Sequence, residues 1–292
     1  MKVVVTGARG FIGAALLPML EASGHEPVAL PRGPAWDPER GVLGAGAISG
    51  AQAIVHLAGE NVAAGRWTAE RKRRILDSRV NGTSALARAA ATLPDKPAVF
   101  VSASAIGYYG DCGDELQTEH SSPGKGFLAC VCKQWEAATG AAAEAGIRTV
   151  RLRFGVVLSA RGGALAKMLP AFRLGLGGPV GSGRQYVSWI ALEDAAAVIV
   201  HAIANEGLDG AVNAVSPNPV RNAEFAHALG HALGRPAVVP VPAIALKLAF
   251  GDMAKEVLLA SQRVEPRRLL ASRFPFRCAR LEDALRAALQ QR

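Results

Sequence analysis

Aromatic side chains are scarce in this sequence: three tyrosines, four tryptophans and nine phenylalanines among 292 residues. Stacking platforms for single-stranded nucleic acid need more of them. The net charge of +9 and pI near 9.8 are therefore not read as a nucleic-acid footprint. Lysine and arginine are also spread out, and the densest run, Arg71-Lys72-Arg73-Arg74, falls in an expected helix as a solvated face. A small ligand bearing phosphate accounts for the surplus instead.

Cysteine is scarce too. Cys112, Cys130, Cys132 and Cys278 fit a reducing cytoplasm better than a disulfide framework. Cys130-x-Cys132 lacks a second ligand pair and the histidines have no metal-like spacing, so no metal site is expected. No apolar run reaches the length of a membrane span. The chain enters a strand at once, without a targeting sequence. The expectation is a cytoplasmic protein with neither a membrane nor a nucleic-acid partner. Long polar tracts, internal repeats and linkers are absent as well, and half of the residues are apolar, which is ample for a core.

What is present is an alternation of strands and helices. Strands are expected over 2–6, 27–30, 53–57, 98–102 and 148–153, and helices over 11–23, 68–92 and 126–145. Pro18 marks a kink in the first of these helices. Such alternation implies right-handed crossovers. The fold class is α/β: a Rossmann-type doubly wound parallel sheet with a smaller C-terminal α+β lobe. Residues 1–155 form the dinucleotide-binding core. Residues 156–292 form the lobe, packed on the core, with segments able to return to the sheet. Helices are expected there over 192–204, 222–233, 243–263 and 281–290, and extended pieces near Val212 and over 238–241.

The strongest motif is Thr6-Gly7-Ala8-Arg9-Gly10-Phe11-Ile12-Gly13, which follows one strand and opens one helix. Gly7 permits the turn, Gly10 lets backbone approach a pyrophosphate, and Gly13 allows close helix–strand packing. The pyrophosphate meets free N–H groups at the helix N-terminus, including those of Phe11 and Ile12. No carboxylate ends the second strand, where an NAD site places one for the ribose hydroxyl; Pro31-Arg32 stands there. Arg9 and Arg32 suit a 2′-phosphate, so the expected cofactor is NADP(H). The small residues Leu57, Ala58 and Gly59 let a nucleotide lie across the sheet edge. His56 is read as a core residue.

These motifs, with the strand end Val101-Ser102-Ala103-Ser104, resemble the extended short-chain dehydrogenase/reductases of the sugar-nucleotide epimerase/dehydratase type. The segments Ala58-Gly59-Glu60-Asn61, Ser104-Ala105-Ile106-Gly107-Tyr108-Tyr109-Gly110 and Arg173-Leu174-Gly175-Leu176-Gly177-Gly178-Pro179 are similar to an atypical branch labelled epimerase family proteins. The family's chemistry uses Ser, Tyr and Lys, with Tyr and Lys four apart on one helix face. Residues four after Tyr108, Tyr109 and Tyr186 are Cys112, Gly113 and Ile190, so the pair is missing. By the resemblance, Ser104 holds the serine position, Leu128 the tyrosine position, Cys132 the lysine position and Arg79 that of the usual asparagine.

The resemblance implies an oxidoreductase or epimerase of unknown small-molecule substrate, with Ser104, Cys132 and Tyr108 as catalytic candidates. Cys132 is a nucleophile if its pKa is depressed, and otherwise a small buried residue. Ser102, Arg79 and Val157 are expected near the cofactor, and Tyr186 and Trp189 in a substrate pocket. A homodimer is compatible with the family. The missing Tyr and Lys leave a second function open, a non-catalytic NADP(H)-binding redox sensor or partner-binding protein.

Overall fold

The computed structural model describes residues 1–290. The chain opens with β1 (Lys2–Thr6), α1 (Phe11–Ala22) and β2 (Glu26–Leu30). Then come β3 (Ala53–His56), α2 (Ala69–Thr92), β4 (Val99–Ala105), α3 (Phe127–Ala137) and α4 (Gly140–Glu144). Next are β5 (Arg148–Phe154), β6 (Val156–Ser159), α5 (Gly163–Arg173), β7 (Trp189–Ala191), α6 (Leu192–Ala204) and β8 (Gly210–Ala214). The chain closes with α7 (Asn222–Leu233), α8 (Ala243–Phe250), α9 (Arg267–Ala271) and α10 (Leu281–Gln290).

Six strands form one parallel sheet in the order β2-β1-β3-β4-β5-β8. Its strands read as apolar runs because both faces are covered. Val3, Val5, Val55 and Val101 pack with Leu16, Leu20, Ala195 and Ile199 from α1 and α6. Val4, Ile54 and Phe100 face the other way, onto Leu86, Ala90 and Ala142 from α2 and α4. The chain winds out from β1 to β2 and then returns to β3 on β1's other side. That reversal opens a crevice at the carboxyl ends of β1 and β3, where such sheets bind ligands.

Beyond residue 155, α6 and β8 return to the sheet, and β8 holds Val212. A second core joins Leu165, Leu169 and Phe172 of α5, Phe225 and Leu229 of α7, and Leu281 and Leu285 of α10.

Three local expectations are corrected. Helix 243–263 is broken: α8 stops before Gly251, whose φ of 59° ends it, and residues 263–264 are a strand pairing with Leu116–Gln117. Helix 126–145 is two helices, joined where the Thr139 hydroxyl bonds the Glu136 carbonyl oxygen at 2.7 Å. Pro18 does not break α1, which runs through it from Phe11 to Ala22; Pro18 and Ala14, one turn before it, are both exposed.

Candidate functional site

The turn between β1 and α1 is built to glycine's dimensions. Gly7 has a φ of 69°, and its carbonyl oxygen accepts from the Gly10 amide at 2.8 Å. A Cβ on Gly7 would stand 2.8 Å from the Leu57 carbonyl carbon, and one on Gly13 would stand 2.2 Å from the Gly7 oxygen. The glycine turn and the Leu57-Ala58 turn after β3 are therefore stacked backbone on backbone. The cradle faces a cleft of about 510 Å³ whose walls include Gly7, Arg9, Gly10, Arg32, Ala58 and Gly59. Trp36 and Pro38, from the irregular segment between β2 and β3, close the cleft where sequence reading saw nothing.

Arg9 is exposed and open to a ligand. Arg32 is steered by acids that follow it in the chain, Glu39 at 2.9 Å and Asp37 at 3.5 Å. Glu39 also accepts from Arg74 at 3.0 Å, and that hydrogen bond, ahead of Arg32's, holds its carboxyl below the usual range. Phe11 packs against the loop after β6: Cβ atoms on Gly162 and Gly163 would lie 2.9 and 3.1 Å from its ring. Ile12 and Val157 are half-buried against the sheet's core. Arg79 is half-buried, its guanidinium 4.9 Å above the Trp135 ring and 3.0 Å from the Ile75 carbonyl oxygen. Burial holds its pKa below the ordinary value.

His56 is fully buried, with Nδ1 2.6 Å from the Thr6 hydroxyl. Burial, helped by Arg79, pushes its pKa down to about 3, so it is neutral, as expected of a core histidine.

At the other end of the carboxyl edge the side chains are tied to one another. Ser104, on β4, donates to Glu136 Oε1 at 2.7 Å. Arg153, on β5 directly across from Ser104, grips both Glu136 oxygens, at 2.7 and 2.8 Å. It also donates to the Tyr109 hydroxyl at 2.9 Å, which in turn lies 2.7 Å from Asn213 Oδ1. Burial alone would pull the Arg153 pKa down, but its bonds to Glu136 raise it above the ordinary value. Burial pushes Tyr109 up to about 12, against the pull of Arg153. Ser102 bonds only its neighbour's carbonyl oxygen. Glu136, Arg153, Tyr109 and Asn213 were missed as a unit. One signal was available: an arginine inside a strand that should be buried on both faces needs a buried acid.

Cys132 is buried beneath Gly107, and burial raises its thiol to about 12 against Arg79's pull. The depressed pKa that a nucleophile needs is absent, so Cys132 takes the small buried role. Tyr108 is half-buried with the Arg153 guanidinium 3.5 Å from its ring centroid; its hydroxyl makes no hydrogen bond within the described residues.

Of the two expected pocket residues, Trp189 is corrected. Trp189 is fully buried, packs in the second core and donates to the Asn218 carbonyl oxygen at 3.0 Å, so it lines no pocket. Tyr186 has its ring engaged by Arg221 and Arg263, at 4.6 and 5.2 Å. The open space lies elsewhere, in a cleft of about 710 Å³ between the Gly107–Leu128 region and residues 255–262, bounded by Gly107, Tyr109, Asp111, Lys125, Lys255 and Gln262. Across it Glu256 reaches α3 and accepts from the Phe127 and Leu128 amides at 3.0 and 2.8 Å. Gly126, with a φ of 110°, leaves room for that carboxylate.

Residues 3–214 match the family described as NAD dependent epimerase/dehydratase, and residues 241–288 match a domain of unknown function, DUF1731. An epimerase family protein of Mycobacterium tuberculosis is 42% identical, with 97% of this chain and 96% of that protein covered. The epimerase family protein SDR39U1 of Homo sapiens is 37% identical, over 98% and 99%. A crystal structure of the human protein (isoform 2) with NADPH matches over the full length of both chains, with a TM-score of 0.92 at 36% identity.

Proposed function

We propose, from the premise that the chain belongs to the NAD dependent epimerase/dehydratase family, that it binds NADP(H) and acts as an oxidoreductase or epimerase on a small molecule. The observation that carries this reading is the glycine cradle, which any Cβ at Gly7 or Gly13 would fill, opening on a cleft that holds Arg9 and Arg32. The human relative's structure with NADPH supports the same choice of cofactor. Backbone N–H groups of Phe11 and Ile12 would hold the pyrophosphate, with Gly10 letting the backbone come close, and Arg9 and Arg32 would hold the 2′-phosphate. Ala58 and Gly59 would admit the nucleotide over β3, with Arg79 beside them. NADP(H), when bound, supplies or accepts a hydride.

The substrate would enter by the 710 Å³ cleft, whose lining includes Gly107 and Tyr109 but neither Tyr108 nor Ser104, and would reach past that lining to meet them. Ser104 already gives its proton to Glu136, so it presents a lone pair and orients an oxygen that carries a proton. Cys132 and Tyr109, both raised to about 12, are poor proton carriers near neutrality. That leaves the uncommitted Tyr108 hydroxyl as the acid/base in place of the missing tyrosine. The four free thiols support residence in a reducing, cytoplasmic compartment.

One observation favours a second reading, a non-catalytic NADP(H)-binding sensor or partner-binding protein: the ionisable groups beneath Ser104 satisfy one another. One set of measurements separates the two. Arg32→Ala should weaken NADPH about tenfold more than NADH, a difference of about 1.4 kcal/mol; equal losses would remove the 2′-phosphate assignment. A screen of carbonyl compounds for loss of nicotinamide absorbance should give turnover that Tyr108→Phe and Ser104→Ala each lower. Tight cofactor binding with no turnover in any class would establish the sensor.

A further inference from the structure

We propose that one face of the C-terminal half is a docking surface for an anionic lipid bilayer. Ten large apolar residues are exposed among the described residues, and six of them fall in two short stretches: Leu174 and Leu176, then Val238, Val239, Ile244 and Leu248. The stretches lie side by side. The Val239 amide donates to the Gly177 carbonyl oxygen at 3.1 Å and the Val241 amide to that of Pro179 at 2.9 Å. α8 starts two residues later and presents Ile244 and Leu248 one turn apart. It fully buries none of its eight residues; only Phe250, at its end, packs against a small cluster of Trp67, Ile75, Val131 and Met253. Contiguous apolar exposure of this kind marks an interaction surface.

Within the two stretches the charge has one sign; the first carboxylate past α8, Asp252, is held by Lys72 at 2.6 Å and also feels Arg66. No Asp or Glu occurs between Glu144 and Glu193, or between Glu224 and Asp252, the spans that supply all six apolar residues. Arg173, Arg235 and Lys247 are exposed among those residues and have no carboxylate partner within the described chain. Arg66 joins them, 3.4 Å from the Leu248 carbonyl oxygen. Apolar side chains interleaved with uncompensated cations match a medium that is apolar inside and anionic at its surface. A second copy matches poorly, because a two-fold contact sets this face on itself and brings cations against cations. Such peripheral contact needs no spanning helix, and none among the described residues is long and apolar enough to cross a membrane. The sequence expectation of no membrane partner rested on spans alone.

The test is co-sedimentation of the full chain with vesicles of phosphatidylcholine alone or of phosphatidylcholine and phosphatidylglycerol in equal parts. The chain should pellet with the mixed vesicles only, and less as salt rises. Arg173→Gln, Arg235→Gln and Lys247→Gln together should lower partitioning on the order of a hundredfold, about fivefold per charge. Ile244→Ser with Leu248→Ser should lower it at least about tenfold. All five sites are exposed, and an unchanged thermal midpoint confirms folding. A wild-type chain that stays in the supernatant with mixed vesicles overturns the proposal. So do variants that pellet like wild type. A concentration-dependent dimer that the serine pair disrupts, without vesicle binding, assigns the face to a second copy and overturns it too.

Discussion

Two ends of one sheet edge are built on opposite principles. At the β1–β3 end the working surface is backbone: Gly7, Gly10, Gly13 and the Leu57-Ala58 turn, with an open cleft before them. At the β4–β5 end it is side chain: Ser104, Glu136, Arg153 and Tyr109 bond in turn in a buried network. The first is open to a ligand: the Gly10 amide is spent on the Gly7 carbonyl oxygen within the turn, and the amides that follow it open α1 before the cleft. The second is complete already. A backbone site is fixed by what glycine omits, and changing the chemistry of nearby side chains leaves it intact. A side-chain site is fixed by pairing, so losing one member exposes the others. The chain thus keeps the family's cofactor cradle while lacking its Tyr and Lys.

The sharpest way to break this contrast is to unpair the closed end. Arg153→Met should destabilise the fold by about 3–5 kcal/mol, because it leaves the buried Glu136 carboxylate without its cation, with only the Ser104 hydroxyl beside it. Glu136→Leu with Arg153→Met should cost less than Arg153→Met by itself. Urea denaturation of the single and double variants measures the coupling, and strictly additive losses would show that the network does not act as a unit.

The open end should respond differently. Gly13→Ala forces a Cβ into the Gly7 carbonyl, an overpacking worth about 1–3 kcal/mol. Its larger signature is in NADPH titration, where affinity should fall at least about tenfold as the cradle shifts. The Glu136/Arg153 double variant should bind NADPH as wild type does. If it loses the cofactor, the two ends are coupled and the contrast fails.

The smallest effect is a pH slope from His56, which lies under the cradle. Its pKa is about 3 when folded and 6.5 when unfolded, so the unfolded chain binds the extra proton. Its contribution is complete above pH 6.5 and is lost as pH falls toward 3, at about 1.4 kcal/mol per pH unit. Urea midpoints between pH 7 and 5 should show this slope flattened in His56→Asn. An unchanged slope would place the dependence on His25 or His201, both also lowered by burial.

The open end was legible in the sequence because glycine spacing and strand position are local. Five of the six strands of the sheet were legible for the same reason, through short β-branched runs such as Val3-Val4-Val5 and Ile54-Val55; the sixth was read only as an extended piece near Val212 of the lobe. The closed end was not. Glu136 and Arg153 stand 17 residues apart on different elements, and only the register of β4 against β5 brings Ser104 opposite Arg153. Trp189 was misplaced because an indole, here between Ser188 and Ile190, looks the same in sequence whether it lines a pocket or fills a core. The break at Gly251 was hidden by apolar residues on both sides that kept a helical rhythm.

The carboxylate of Glu256 on the first turn of α3 also fixes an order of events. The amides of Phe127 and Leu128 are made early in synthesis, and their acceptor is made 128 residues after Leu128. While the nascent chain is still shorter than that, α3 ends in unsatisfied donors beside an open cleft. Closing this contact fastens a late segment of the chain to its middle, so a product that ends before Glu256 lacks the fastening.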